Sequence, residues 1–333
     1  MSESLSIKTA SLRRGPHPEW LRRIATLFVW VTFVPLKRLL RKRWARMLAR
    51  GMTRTVGSKF EYQPRAGDVL VCSYFKSGTN WTLQIAVQIT QRGNAQFAHI
   101  HDIVPWPEMP ARTRFAVPAA DDTARRQSPT GLRVLKTHLA LGPVPYTSEA
   151  RYICVVRDPK DVFVSSYHFT RANVGAQLMP TVDAWLDTYL SADTALGSWA
   201  RHLASYWQAR ERANVLFLTY ERMRSDLPAA VDAIAAFLGV QLTAEERAAV
   251  IEQSTFEHMK RIGRKFDAPG APWSTAAGAM IRRGKHGAST ELLTAEQQRR
   301  IDAYWRAELA GLGCDFPYDA EFNARRPESA TDR

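Results

Sequence analysis

From Tyr62 onward, short apolar runs alternate with segments of helical period. Val69–Tyr74, Arg133–Thr137, Tyr152–Val156 and Val215–Thr219 are predicted strands. Helices are predicted over Trp81–Thr90, Pro159–Arg171, Val182–Leu190, Trp199–Arg212 and Pro228–Leu238. Asp158 followed by Pro159 is a helix-start signal. Thr243–Glu246 and Thr294–Gln297 have capping-box spacing and open two further helices. Buried-looking strands alternating with helices predict an α/β fold, with a central, mostly parallel sheet covered by helices on both faces. Ligands on such sheets bind beyond the strand carboxyl ends. Lys76, His138 and Arg157 each fall just past a strand end, so this topology brings them together. Lys265–Ser289 is rich in Gly, Ala, Pro, Arg and Lys, with little periodicity, and reads as a long functional loop.

The N-terminal pattern differs. Residues 24–36 form an uncharged run of 13, short of the roughly 20 that span a bilayer. In Leu36–Leu48, Leu36, Leu40, Trp44, Met47 and Leu48 share one helical face, and most of the basic residues lie off it. A basic amphipathic helix beside an apolar run suits an anionic membrane surface. It equally suits a helix packed on the body with its basic face in water. A cleaved signal peptide fits poorly, because dense positive charge follows the run. The expected organisation is an N-terminal extension over 1–60, one domain over 61–322 and a disordered tail over 323–333.

Charge follows this division. The 333-residue chain carries a net +14, but residues 1–60 hold 14 Lys and Arg against 2 acidic residues. The remainder is nearly neutral, which argues against a nucleic-acid-binding body. Cys72, Cys154 and Cys314 make no even disulfide framework and suit a reducing, cytoplasmic compartment.

Ser73-Tyr74-Phe75-Lys76-Ser77-Gly78-Thr79-Asn80-Trp81 links the first strand to the first helix of the domain. A turn of this kind aims backbone N–H groups and the positive helix end at one spot, which suits an anion. Lys76 adds a charge, and Ser77, Thr79 and Asn80 add short donors. Lysine leads this loop, whereas in the common nucleotide loop it closes it next to a Mg²⁺-binding hydroxyl. The order points away from metal-assisted triphosphate chemistry. His138, next to Lys136 at a strand end, is placed to accept a proton from a hydroxyl. Arg157, with Ser165 two turns into the following helix, offers a second phosphate site.

Together these segments resemble the cytosolic-type sulfotransferases, which use 3′-phosphoadenosine-5′-phosphosulfate (PAPS), in a bacterial-like form and with the family's P-loop-kinase-like fold. The resemblance runs from about Asp68 to Cys314. Ser73–Trp81 is similar to T-Y-P-K-S-G-T-T-W, which implies that Lys76, Ser77, Gly78, Thr79, Asn80 and Trp81 hold the 5′-phosphosulfate end, with Trp81 near the adenine. Lys136-Thr137-His138-Leu139 resembles K-T-H-L, implying His138 as catalytic base with Lys136 and Lys76 as electrostatic partners. Arg157 and Ser165 match a 3′-phosphate site. Gly197-Ser198-Trp199 with His202 and Trp207 echoes G-S-W-x-x-H-x-x-x-W-W. Tyr220 in Phe217–Glu221, and Ser254-Thr255-Phe256, match elements that touch adenine. Arg282, Arg283 and Gly284 within Ile281–Gly287 resemble R-K-G-x-x-G, a loop on the 3′-phosphate. The chain departs from the family at Phe75, where Pro is usual, at Asn80, where Thr is usual, and at Ala288-Ser289-Thr290, where D-W-K is usual. The K-T-V-E dimer element is not recognisable near Lys265–Ile281.

The resemblance implies transfer of a sulfuryl group from PAPS to an acceptor hydroxyl, without a metal. A transferring sulfuryl group carries less charge than a phosphoryl group, so lysines and backbone N–H groups suffice to stabilise it. Two separated anion sites suit a nucleotide phosphorylated at both 5′ and 3′ positions. The acceptor is expected to be an alcohol, phenol, steroid or lipid-like hydroxyl against apolar walls from Asn94–Gln127, Arg171–Leu178 and Arg264–Ala279, with Trp106, Phe115 and Trp273, joined by Tyr167, His168 and Phe169. The competing readings are a P-loop kinase or NTPase and a non-catalytic, membrane-associated nucleotide-binding protein.

Overall fold

The computed structural model describes residues 18–40, 42–56, 59–109, 115–191, 197–267, 273 and 288–323. Four parallel strands, β1 (Asp68–Ser73), β2 (Arg133–Thr137), β3 (Arg151–Val156) and β4 (Val215–Thr219), form one sheet in the order β2-β1-β3-β4. Cys72 lies beside both Thr137 and Cys154, Ser73 beside Val155, and Val156 beside Thr219. The segments that begin with Tyr74, His138, Arg157 and Tyr220 therefore leave the sheet along one edge.

Side-chain alternation explains why the strands are apolar throughout. Leu70, Cys72, Leu135, Tyr152, Cys154 and Val156 meet the helices Pro159–Val174, Trp199–Trp207 and Ala295–Gly311. Val69, Val71, Val134, Ile153 and Val155 meet Thr79–Thr90, Leu227–Leu238 and Ala244–Glu252 on the other face. Fully burying one such Leu, Ile or Val is worth about 1.5–3 kcal/mol. At the end of the sheet away from the site, Arg133 and Asp68 form a fully buried ion pair at 2.7 Å. The Arg133 guanidinium also donates to the Tyr62 hydroxyl at 2.6 Å.

Both predicted capping boxes are present, Thr243 with Glu246 and Thr294 with Gln297. β1 starts one residue earlier than its apolar run, because Asp68 pairs with Arg133. The helix predicted over Trp199–Arg212 stops at Trp207. Beyond it the chain tightens into turns, with the N–H groups of Ala209, Arg210 and Arg212 donating to the carbonyls of Tyr206, Trp207 and Ala209, and the next segment is held by Asn214, which donates to the carbonyls of Thr147 and Ala150. Most of the loop predicted over Lys265–Ser289, and the tail after Asn323, lie outside the described residues.

The N-terminal segment is helical over Glu19–Phe28, Val29–Phe33, which is a π-turn, Val34–Leu40 and Lys42–Val56. The face predicted from Leu36, Leu40 and Trp44 is turned onto the body, where with Val29, Phe33 and Val34 it packs against Leu178, Val174 and Trp273. Trp44 Nε1 donates to the Leu178 carbonyl at 2.7 Å, and Lys37 Nζ to the carbonyls of Gln177 and Met179. Trp20, Ile24, Leu27, Phe28, Trp30 and Val31 are each more than half exposed. Among the described residues, no helix is long and apolar enough to cross a membrane.

Candidate active site

The chain turns tightly after β1. Lys76 takes a positive φ of 68° and Gly78 one of 99°, and the helix Thr79–Thr90 begins at once with Gly78 as its left-handed N-cap. A Cβ on Gly78 would lie 2.7 Å from Tyr220 Cδ2, so only glycine fits there. The amides of Thr79 and Asn80 precede the first helical bonds, which leaves the positive helix end facing the turn. Ser73 Oγ and Thr79 Oγ1 are 2.6 Å apart and fasten the strand end to the first helical turn.

His138 follows β2 on the neighbouring strand. Its Nδ1 lies 2.8 Å from the Ser73 carbonyl, which can only accept, so Nδ1 carries the proton and Nε2 keeps a lone pair. Burial, and then Lys136, lower the imidazole pKa well below its ordinary value, so the ring is neutral at physiological pH. The ring packs edge-on against Trp106 and Phe75, with centroids 5.5 and 5.9 Å away.

Lys76 Nζ sits 4.3 Å from the Phe169 ring centroid and 5.7 Å from that of Phe75, which places it beside the aromatic group that also holds His138. Burial, then Arg157 and Lys136, push its pKa down to about 7. Lys136 is buried with its Nζ 3.6 Å from the Trp106 centroid, and burial pushes it down to about 7 as well. The Arg157 guanidinium reaches the Lys76 carbonyl, pairs with Asp161 at 3.3 Å and lies 4.4 Å from the Tyr220 centroid. Tyr220 meets Trp81 with centroids 5.4 Å apart, and Trp81 Nε1 donates to the Ser254 carbonyl at 2.7 Å.

The structure thus brings together Lys76, Ser77, Gly78, Thr79, Asn80, Trp81, Lys136, His138, Arg157, Tyr220 and Ser254. Ser165 is half-buried on the helix Pro159–Val174, and Phe256 is half-buried at the start of the helix Phe256–Arg261. Arg282, Arg283 and Gly284 lie outside the described residues. Trp106 and Phe115 share one apolar cluster, whereas Trp273 packs against Val174 and the N-terminal helices.

Glu108 carries no sequence expectation, yet it is buried and its Oε1 accepts the backbone N–H of His138 at 2.5 Å. Burial raises its pKa, and the His138 bond and the Lys136 charge oppose the rise. Lys136 donates its backbone N–H to the Pro105 carbonyl, which lays the Trp106–Glu108 segment along the edge of β2. Asp161, the partner of Arg157, also carries no sequence expectation. The only signal for it is its position four residues after Arg157, at helical spacing.

A doubly phosphorylated nucleotide fits this donor set. Ser77 Oγ, Ser254 Oγ and Arg157 Nε are buried without a hydrogen-bond partner among the described residues, and three partly desolvated cations crowd one space. An anion would satisfy both conditions.

Comparison with known proteins gives the family and the fold. The sulfotransferase domain family matches residues 66–313. Sulfotransferase 1C2 of Oryctolagus cuniculus is 28% identical over 269 residues, covering 77% of this chain and 87% of its own. The crystal structure of mouse sulfotransferase SULT7A1 complexed with PAP superposes with a TM-score of 0.59 at 26% identity, covering 78% of this chain and 90% of its own. Retinol dehydratase in complex with retinol and PAP shares the fold, with a TM-score of 0.60 at 21% identity, covering 84% of this chain and 88% of its own. The chain belongs to the sulfotransferase family.

Proposed function

We propose that this sulfotransferase moves the sulfuryl group of PAPS to the hydroxyl of an apolar acceptor in the cytoplasm, with His138 as general base. One observation carries the reading. His138 is neutral, its proton is held on Nδ1 by Ser73, and its ring packs against Phe75, whose ring also lies beside Lys76 Nζ. The donor supplies an electrophilic sulfur and a phosphate leaving group. Lys76, Ser77, Gly78, Thr79 and Asn80 hold its 5′ end. Arg157 and Ser165, with Arg282, Arg283 and Gly284, take the 3′-phosphate. Trp81, Tyr220, Ser254 and Phe256 enclose the adenine. Nε2 of His138 takes the acceptor proton as the oxygen bonds to sulfur. Lys76 and Lys136 stabilise the charge on the transferring group and the leaving oxygen.

Phe75, Phe169 and Trp106 supply the apolar acceptor wall, which favours phenols, steroids and lipid-like alcohols over sugars. No metal takes part in this reading. The test is incubation with labelled PAPS and a panel of phenols, steroids, sugars and lipid alcohols, with and without a chelator. Labelled apolar product, insensitive to chelation and reduced about 10²–10⁴-fold in His138→Ala, is the expected result. Near-full transfer in that variant removes His138 from the mechanism.

A further inference from the structure

Large apolar side chains are exposed in one region of the molecule. Among the described residues, the exposed large hydrophobics are Trp20, Ile24, Leu27, Phe28, Trp30, Val31, Leu39 and Met47, with Tyr146 alone elsewhere. Trp20, Ile24, Leu27 and Val31 follow one another at steps of four, three and four, which aligns them as a single outward stripe. The opposite face of the same helical segment is occupied. Val29 and Phe33 join Leu36, Leu40 and Trp44 against Leu178 and Val174. The segment is therefore seated on the protein by one side while its other apolar side faces outward. This stripe is separate from the Leu36–Leu48 face that the sequence pattern singles out.

Charge identifies what covers it. Arg22, Arg23, Arg38 and Arg43 are exposed on the N-terminal helices, and Arg23, one turn from both Trp20 and Leu27, pairs at the surface with Glu19, the one acidic residue of these helices. Residues 1–60 carry most of the net +14 of the chain. A protein partner would need an apolar groove rimmed with acidic residues, whereas any anionic bilayer takes the apolar stripe into its interface and the arginines at its headgroups.

The seat also matters for the reaction. Val174 ends the helix that carries Phe169, and five residues of helix span about 7.5 Å. The ring of Phe169 lies 4.3 Å from Lys76 Nζ. The segment that bears the outward stripe is thus joined, through its inner face, to the helix end that carries Phe169.

We propose that Trp20–Val31 lies in the interface of an anionic membrane and that the enzyme takes its acceptor, a hydroxyl-bearing amphiphile, from that surface. The choice of acceptor rests on the sulfotransferase reading above; the lipid contact does not.

The test uses the full chain. Wild type and the triple variant Trp20→Glu, Ile24→Glu, Leu27→Glu are sedimented with phosphatidylcholine vesicles, with and without phosphatidylglycerol. Wild type should bind the anionic vesicles, more weakly at high salt, and the triple variant should bind more than about tenfold less. Binding of 3′,5′-bisphosphoadenosine, followed by thermal shift, should be equal in both and shows that the variant is folded. Sulfation of a vesicle-borne sterol should fall in the variant while sulfation of a water-soluble phenol stays unchanged. Wild type that ignores anionic vesicles, or a triple variant that binds them equally well, overturns the proposal. So does a wild-type dimer that the triple variant dissolves without any vesicle binding, since the stripe then covers a second copy. Vesicle binding with no transfer to either acceptor defeats the sulfotransferase reading and leaves the membrane contact standing.

Discussion

Gly78 shows how little freedom the cradle leaves a single residue. Its φ of 99° and the Tyr220 ring at 2.7 Å from any added Cβ exclude alanine twice over. Gly78→Ala should cost about 1–3 kcal/mol and push Tyr220 off Arg157 and Trp81, so donor affinity falls with stability. Chemical denaturation and donor titration measure the two losses separately. Glu108→Gln probes the charge behind the base. Glutamine keeps an acceptor for the His138 amide but removes the carboxylate that supports the Lys136 ammonium. The alkaline limb of kcat/KM should move to lower pH, with the fold intact by circular dichroism. An unmoved limb would show that Glu108 only fills space. Lys76, His138 and Arg157 stand out in the sequence because each falls just past the end of a predicted strand. Glu108 could not, because its partner is a backbone amide thirty residues away.

At the scale of elements, β2 and β4 have the bounds their apolar runs predict, and the two capping boxes open helices where the spacing places them. Local chemistry decides these features, so local sequence reveals them. The helix ending at Trp207 was less legible, since distant carbonyls at Thr147 and Ala150 capture Asn214. The N-terminal helices posed a different difficulty. Periodicity marks an apolar face on Leu36–Leu48 but does not say which of two apolar faces the body covers. The pairing of β1 with β2 is tied at its far end by Arg133 and Asp68, both fully buried. Arg133→Met leaves the Asp68 carboxylate buried without its cation and should destabilise the fold by about 3–5 kcal/mol. Donor affinity of the remaining folded protein should not change, because the pair stands at the opposite end of the sheet. Urea unfolding followed by titration at low temperature checks both parts.

For the whole molecule, the crowded cations couple binding to pH. Lys76 and Lys136 titrate at about 7 in the ligand-free fold, against 10.5 when unfolded. The unfolded chain therefore holds more protons above pH 7, and these two groups make stability rise with pH there. Glu221, raised to about 7, opposes this rise only until it is ionised in the fold, and from about 7.5 the two lysines outweigh it. From about 7.5 to 8, below the ordinary cysteine pKa of about 8.5, thermal stability of the free protein should climb. A polyanion in the cradle favours the charged ammonium forms, so donor binding should take up protons and weaken as pH rises through the same range. Calorimetry at pH 8 in buffers of different ionisation heat reads this uptake, and Lys76→Met should diminish it. Equal heats in all buffers would contradict the linkage.

Ser73 belongs to two mechanisms at once. Its carbonyl fixes the tautomer of the base, and its hydroxyl clasps the opening turn of the anion-binding helix. The proposed general base and the proposed donor pocket are therefore set on a common hinge-pin rather than on separate mounts. In the proposed mechanism, that shared anchor holds the proton acceptor in register with whatever the pocket holds.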